Sequence, residues 1–462
     1  MQHDTICAIS TAPGVGGIAV IRVSGSQSIA LVDALFKPHK AGARLVDRKA
    51  YTLTYGQIVH ENGDVLDDVV ISLFKAPHSF TAEDTIEIAC HGSIYIQQQL
   101  MQLLIKQGCR TALPGEFTQR AFMNGKMDLS QAEAVADLIA STSAATHKLA
   151  MNQMRGAFSQ ELIALRMELL ALTSLIELEL DFGEEEVEFA DREQLRLLAD
   201  KIHLLISNLA QSFSVGNALK NGIPVAIVGE TNAGKSTLLN VLLREERAIV
   251  SDIHGTTRDV IEDTINLGGL TFRFIDTAGI RDTQDKIESL GIELAYRKLA
   301  QASIVIWMVD ATQELARIEQ LASHLMPKIT DQKLIVAFNK VDQIDEAKRE
   351  ALTALLPEVE HLFISAKEQI NTAELEQILV STAAMPQISA SDVIVTNARH
   401  YEALVRAQDS IGRVRDGLQT NLSGDFLSQD IRECMHYLGE ITGQISTDEI
   451  LGNIFLNFCI GK

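Results

Sequence analysis

The chain has 462 residues, with 40 Lys+Arg against 61 Asp+Glu and a formal net charge of −21. At about 150 residues per domain the length predicts about three domains, and 46% hydrophobic with 22% charged residues excludes wholesale disorder. The acidic balance excludes a surface that grips nucleic acid everywhere, because phosphate contacts need local cations, and no run approaches the roughly 18 apolar residues of a membrane span.

At the N-terminus, His3 and Asp4 stand where a secretory leader would carry a basic region, so a cytoplasmic protein is expected. Residues 1–118 hold strand-like runs at Ile18–Val23, Val69–Phe74 and Thr85–Ala89 and a helical stretch at Ile94–Gln107, which read as a small α+β domain. Residues 119–215 turn helical; Ser130 and Glu133 have the spacing of a capping box, with Ser130 capping and Glu133 reaching back. The acidic run Asp181–Glu188 reads as a solvated bend between helices. Across 216–384, short apolar runs (Ile223–Val228, Thr271–Ile275, Ile304–Val309, Leu334–Phe338, Leu362–Ile364) alternate with helix-length segments, the rhythm of a doubly wound parallel α/β sheet. Residues 385–462 are helical again, which predicts a helical domain built from two chain segments around an inserted α/β unit.

The strongest chemistry lies in Gly229-Glu230-Thr231-Asn232-Ala233-Gly234-Lys235-Ser236, a GxxxxGKS loop after an apolar strand and before the helix that Thr237 continues. Glycine lets backbone N–H groups wrap phosphate, Lys235 meets the β- and γ-phosphates and Ser236 binds Mg²⁺. Thr257, in Gly255–Asp259, offers a second Mg²⁺ hydroxyl, and Asp276-Thr277-Ala278-Gly279 places a carboxylate near the metal and an N–H near the γ-phosphate. Asn339-Lys340-Val341-Asp342 ends a strand, where Asp342 can accept from the N1–H and 2-amino group of guanine; Ser365-Ala366-Lys367 closes the base site. These pieces in register predict a P-loop GTPase domain. Ile280 follows Gly279 where a water-orienting glutamine often stands, and neither Arg258 nor Arg281 reads as an arginine finger. Asn232 offers an amide oxygen that could help hold a monovalent cation near the phosphates.

The whole chain resembles the MnmE (TrmE) family of bacterial tRNA-modification GTPases. The resemblance rests also on Pro13-Gly14 through Gly25, Ser79–Asp84, Pro114–Phe122, Asn124–Glu133 and the terminal Cys459-Ile460-Gly461-Lys462. It implies an N-terminal domain that binds a tetrahydrofolate (5-formyl or methylene) and makes a homodimer, a Ras-like G domain inserted in the helical domain, and a FAD-dependent partner, MnmG. Together they would add an aminomethyl or carboxymethylaminomethyl group at C5 of the wobble uridine of certain tRNAs. Carried onto this chain, the folate site is Arg22, Glu87, Lys126 and Lys462; K⁺ is held by Asn232, Ser251, Ile253 and Thr256; Glu288 orients water; Cys459 is a candidate nucleophile. Departures are Thr231, Ala12 and Gly183, where family members often carry proline.

Besides Cys459, the cysteines Cys7, Cys90, Cys109 and Cys434 are widely spaced with no CxxC pair, which predicts neither a disulfide framework nor a zinc site. The alternative reading is a GTP-switched RNA or ribosome assembly factor, which would need neither folate ligands nor a terminal thiol.

Overall fold

The computed structural model describes residues 4–40, 42, 44–182, 192–247, 263–275, 301–357, 359–383, 393–420, 422–445, 448–456, 458 and 461. Their contacts divide the chain into one unit of residues 1–139, 151–204 and 406–462 and a second of 140–150 and 205–405.

The first unit contains a sheet of β1 (Ile6–Ile9), β2 (Gly16–Ser24), β3 (Phe36–Pro38), β4 (Thr52–Val59), β5 (Val65–Phe74), β6 (Thr85–Gly92) and β7 (Arg110–Thr111), ordered β3-β4-β5-β6-β2-β1-β7. Neighbours are antiparallel except β1 and β7, which run parallel. On β5, Val69, Ile71 and Leu73 are buried while Asp68 and Val70 are exposed, the period of two of a sheet with one covered face. The buried set joins Ile21, Val23, Ile86 and Ile88 in a core with Val32 of α1 (Ser28–Asp33) and Leu100 and Leu104 of α2 (Ile94–Lys106). The other face carries Arg22 on β2, Tyr55 on β4, Val70 on β5 and Glu87 on β6.

Helices α3 (Glu116–Met123), α4 (Leu129–Ala140), α5 (Ala144–Met154), α6 (Ala157–Phe182) and α7 (Arg192–Asn221) follow. The start of α4 corrects the expected cap. Asp128 Oδ1 accepts from the Gln131 N–H at 2.9 Å and Gln131 Oε1 accepts from the Asp128 N–H at 3.0 Å, so the reciprocal box is Asp128/Gln131. Ser130 is instead buried inside the first turn, its hydroxyl donating to Asp128 Oδ1 and paired with Ser159 Oγ at 3.0 Å. Of the acidic run expected to bend, Asp181 still belongs to α6 and the rest from 183 lies outside the described residues.

The second unit holds β8 (Ile223–Val228), α8 (Lys235–Arg247), β9 (Asp263–Leu267), β10 (Leu270–Phe274), β11 (Ile304–Asp310), α9 (Leu315–Leu325), β12 (Lys333–Asn339), α10 (Glu346–Leu355), β13 (His361–Phe363) and α11 (Thr372–Thr382). The sheet order is β13-β12-β11-β8-β10-β9, parallel throughout except for the edge strand β9, which pairs antiparallel with β10. Side chains of β8, β11 and β12, buried on both faces, read as continuous apolar runs, as a helix-covered parallel sheet requires. The chain ends with α12 (Ala398–Gln419), α13 (Gly424–Thr442) and α14 (Asp448–Leu456). No helix among the described residues is long and apolar enough to cross a membrane.

Candidate functional site

The loop after β8 sits at the carboxyl ends of the parallel strands, the edge where open α/β sheets bind ligands. Two of its glycines are dictated by contact. A Cβ on Gly229 would lie 2.3 Å from the Met308 carbonyl oxygen, and one on Gly234 would lie 2.1 Å from Asn339 Nδ2; both have positive φ, +154° and +100°. Asn232 is also left-handed, at φ 65°, a conformation asparagine tolerates better than most residues. Lys235 Nζ donates to the carbonyls of Gly229 and Glu230, each at 2.8 Å, which places its ammonium inside the curve of the loop. Ser236 and Thr237 follow in the first turn of α8, where N–H groups and the helix dipole favour an anion.

Asn339, at the end of β12 and buried, braces the site. Its Nδ2 donates to the Ala233 carbonyl at 2.8 Å and its Oδ1 accepts from the Ala366 N–H at 2.9 Å. One side chain thus ties the phosphate loop to the Ser365-Ala366-Lys367 loop. Lys340 takes the left-handed conformation and donates to Asp310 Oδ2 at 2.5 Å. Burial opposes charge on Asp310, but the Lys340 ammonium and the Thr312 donors outweigh it and hold the carboxyl below its ordinary range. Hydrogen bonding from Ser365 lowers Asp342 in the same way, so this exposed carboxylate is ionised at neutral pH and ready to accept from two N–H donors. Asp310, Gln313 and Arg317 were not singled out from sequence. Asp310 alone left a signal, an acid ending a buried strand at the ligand edge of the sheet.

In the other unit, adjacent strands bring Arg22 and Glu87 into register. Arg22 Nε and Nη2 donate to Glu87 Oε1 at 3.0 and 2.8 Å, and the guanidinium lies 5.4 and 5.6 Å from the ring centroids of Phe80 and Phe117. Lys126 is exposed on the turn after α3, which Asn124 Nδ2 fastens to the Thr81 carbonyl at 2.7 Å. Gly461, between two of the candidate residues, is buried: its carbonyl accepts from Ser10 Oγ at 3.0 Å, and a Cβ there would meet the Ile9 carbonyl oxygen at 2.3 Å. Gly461 is thereby seated at the β1–β2 connection of this same sheet.

In the same unit an ion network joins Asp4, Glu83, Arg110, Glu116 and Arg120. Arg120 donates to Asp4 Oδ1 at 2.8 Å, to Glu116 Oε1 at 3.0 Å and to Glu83 Oε2 at 3.2 Å; Arg110 donates to Asp4 Oδ2 at 2.6 Å and Glu116 Oε1 at 2.5 Å. Ser24 Oγ donates to Glu83 Oε2 at 2.8 Å. Arg110 leads in holding Asp4 low, and for Glu116 the two arginines overcome the burial that would raise it. Glu83, Glu116 and Arg120 belong to the motifs that carry the family resemblance, and here they build the scaffold.

Four cysteines among the described residues, Cys7, Cys90, Cys109 and Cys434, are free and buried. Burial pushes the Cys90 thiol up to about 11 and that of Cys434 up to about 12, so neither is a thiolate at neutral pH. The expected residues Ser251, Ile253, Thr256, Thr257, Asp276, Thr277, Ala278, Gly279, Glu288, Cys459 and Lys462 lie outside the described residues.

Comparison with known proteins places this geometry. The MnmE helical domain family model matches residues 129–459, and that of the GTP-binding protein TrmE N-terminus matches residues 5–126. The tRNA modification GTPase MnmE of Bacteroides thetaiotaomicron is 62% identical over 100% of both chains. Its counterpart in Flavobacterium johnsoniae is 52% identical, again over 100% of each. Among solved structures, Aquifex aeolicus Era bound to GDP·AlF4⁻ is similar at 27% identity over 40% of this chain and 66% of that one, with a TM-score of 0.27, too low to bear on the fold.

Proposed function

This chain belongs to the MnmE family of tRNA modification GTPases, and from that premise we propose that its GTP hydrolysis serves a folate-dependent change at C5 of the wobble uridine of certain tRNAs. It is a GTP hydrolase of tRNA modification, and the assembly-factor alternative gives way to that family membership. The observation that carries the nucleotide site is the Asn339 brace, which joins phosphate loop and base loop through one buried amide.

Within that site Asn232 to Thr237, Asn339, Lys340, Asp342 and Ser365 to Lys367 hold GTP, with Ser251, Thr256 and Asp276 to Gly279 completing it. Lys235 neutralises phosphate charge. Ser236, Thr257 and Asp276 are a hydroxyl, hydroxyl and carboxylate set that suits Mg²⁺, an oxygen-seeking cation that supplies charge to the β- and γ-phosphates when bound. Asn232, Ser251, Ile253 and Thr256 offer the neutral oxygens that suit K⁺, and the left-handed, exposed Asn232 supports that reading. Glu288 orients the attacking water, because Ile280 cannot.

The Arg22–Glu87 pair suits the ring of a folate, with a carboxylate that accepts from paired N–H donors and a guanidinium beside it that meets the same ring. Lys126 and Lys462 add cations for the tail. Such a folate supplies the one-carbon unit when bound. Seating of Gly461 against Ile9 and Ser10 supports delivery of Cys459 to the same sheet. Exposed apolar side chains of this domain, Val15, Ile18 and Leu53, support a homodimer through it. The FAD-dependent partner is MnmG, and the reaction takes place in the cytoplasm.

The test is reconstitution of this chain with MnmG, unmodified tRNA, GTP and methylene-tetrahydrofolate, with nucleosides resolved by mass spectrometry. C5-aminomethylated or carboxymethylaminomethylated uridine is expected. Modification that is indifferent to folate removal would overturn the folate assignment, and a Cys459→Ser chain that modifies normally would remove the thiol.

A further inference from the structure

The phosphate loop carries an acid where its ligand is a polyanion. Glu230, the loop's second residue, has its own carbonyl on Lys235 Nζ, so its backbone lies at the ammonium that meets phosphate. Its carboxylate does not point there. Oε1 accepts from Arg317 Nη2 at 2.5 Å and Nε at 3.1 Å, and Oε2 accepts from Gln313 Nε2 at 2.8 Å. Both partners come from α9 and the turn before it. That turn is itself fixed: the Gln313 N–H donates to the Asp310 carbonyl, Lys348 Nζ donates to the Gln313 carbonyl at 2.6 Å, and Asp310 receives Lys340 of the base loop. Both carboxylate oxygens of Glu230 are thus engaged by donors from one hydrogen-bonded turn and the helix it opens, and the group is 27% exposed.

We propose that Arg317 and Gln313 form a clamp that turns the Glu230 carboxylate away from the bound phosphates and neutralises it, which makes Arg317 a positioning residue for GTP binding. Two physical effects act in the same direction. Neutralisation removes repulsion between a carboxylate and the phosphates, and the two-point anchor orders a loop whose neighbouring residue, Thr231, sets no φ of its own. The anchor also runs through the 310–313 turn to Lys340, so phosphate loop and base loop share one support besides Asn339. Arg317 is 51% exposed, which limits the effect to a few-fold in affinity.

The proposal rests on the loop being the GTP site. The experiment is binding of mant-GDP to the full chain by fluorescence, for wild type, Arg317→Gln, Glu230→Gln and the double variant, with kcat measured in parallel. Arg317→Gln is expected to raise the mant-GDP Kd about three- to fivefold at low salt, with less effect at 1 M salt, where screening shortens to about 3 Å. Glu230→Gln in the same chain should return Kd to within about twofold of wild type, because the charge that needed the clamp is gone. A double variant as weak as Arg317→Gln overturns the clamp. So does an Arg317→Gln chain that binds like wild type, or one that loses kcat without losing affinity, since Arg317 would then act on the phosphates directly. A wild-type chain that binds no mant-GDP would remove the nucleotide-site reading itself.

Discussion

Replacing Arg120 with Met should loosen the N-terminal sheet at neutral pH, with a deficit against wild type that narrows below about pH 4.5. Arg120 has a side chain only 13% exposed and serves Asp4, Glu83 and Glu116 together. Breaking a buried ion pair by removing one partner costs about 3–5 kcal/mol, mostly the penalty of the stranded charge. The lower end applies, because Arg110 still neutralises Asp4 and Glu116, and Glu83 alone keeps only Ser24. About 3 kcal/mol corresponds to roughly 150-fold in an opening equilibrium, read as loss of amide protection in β1 and β2 by hydrogen exchange of the full chain, corrected for intrinsic rate. In wild type Asp4 and Glu116 titrate below their unfolded values, so their stabilisation is complete above about pH 4.5 and fades below it. Less than threefold loss of protection at pH 7, or a deficit that grows as pH falls below about 4.5, would refute the reasoning.

Asp342→Asn should weaken mant-GDP binding by about a hundredfold while leaving the fold intact, since a site built around two guanine donors loses its charged acceptor. Because Ser365 holds the Asp342 carboxyl low, wild-type affinity should stay flat from pH 8 to about 5 and fall only below that. Glu288→Ala should lower kcat for GTP by about a hundredfold or more with Kd unchanged; equal loss of both would take Glu288 out of the chemistry. Arg22→Leu should raise the Kd for 5-formyl-tetrahydrofolate, measured by calorimetry, by about tenfold or more while GTP hydrolysis by the purified chain is unchanged; unaltered folate binding would dissociate Arg22 from that site.

What could be read from sequence was whatever the chain keeps local. The phosphate loop holds strand, turn and helix start within a few residues, and β8, β11 and β12 were apolar runs because both faces are covered. The edge strand β9 was missed, since Asp263-Thr264-Ile265-Asn266-Leu267 buries Ile265 alone among polar neighbours. At α4 two overlapping boxes fit the letters, Ser130/Glu133 and Asp128/Gln131. The choice fell to burial: Ser130 bonds Ser159 from inside the core, which no local pattern announces. Arg22 and Glu87 came from resemblance, and their pairing follows from strand register across 65 residues. Glu230 and Arg317 lie 87 residues apart, and Arg120 lies 116 from Asp4. Ion pairs at that separation depend on the fold and leave no trace in spacing.

The most direct test of the nucleotide site is GTP hydrolysis by the purified chain in KCl against NaCl at equal ionic strength, alongside Asn232→Ala. Removing a preorganised positive group beside developing phosphate charge typically costs about a hundredfold in rate, so K⁺ should accelerate hydrolysis by about that factor in wild type and hardly at all in the variant. Equal rates in both salts, or K⁺ stimulation that survives loss of Asn232, would contradict the account.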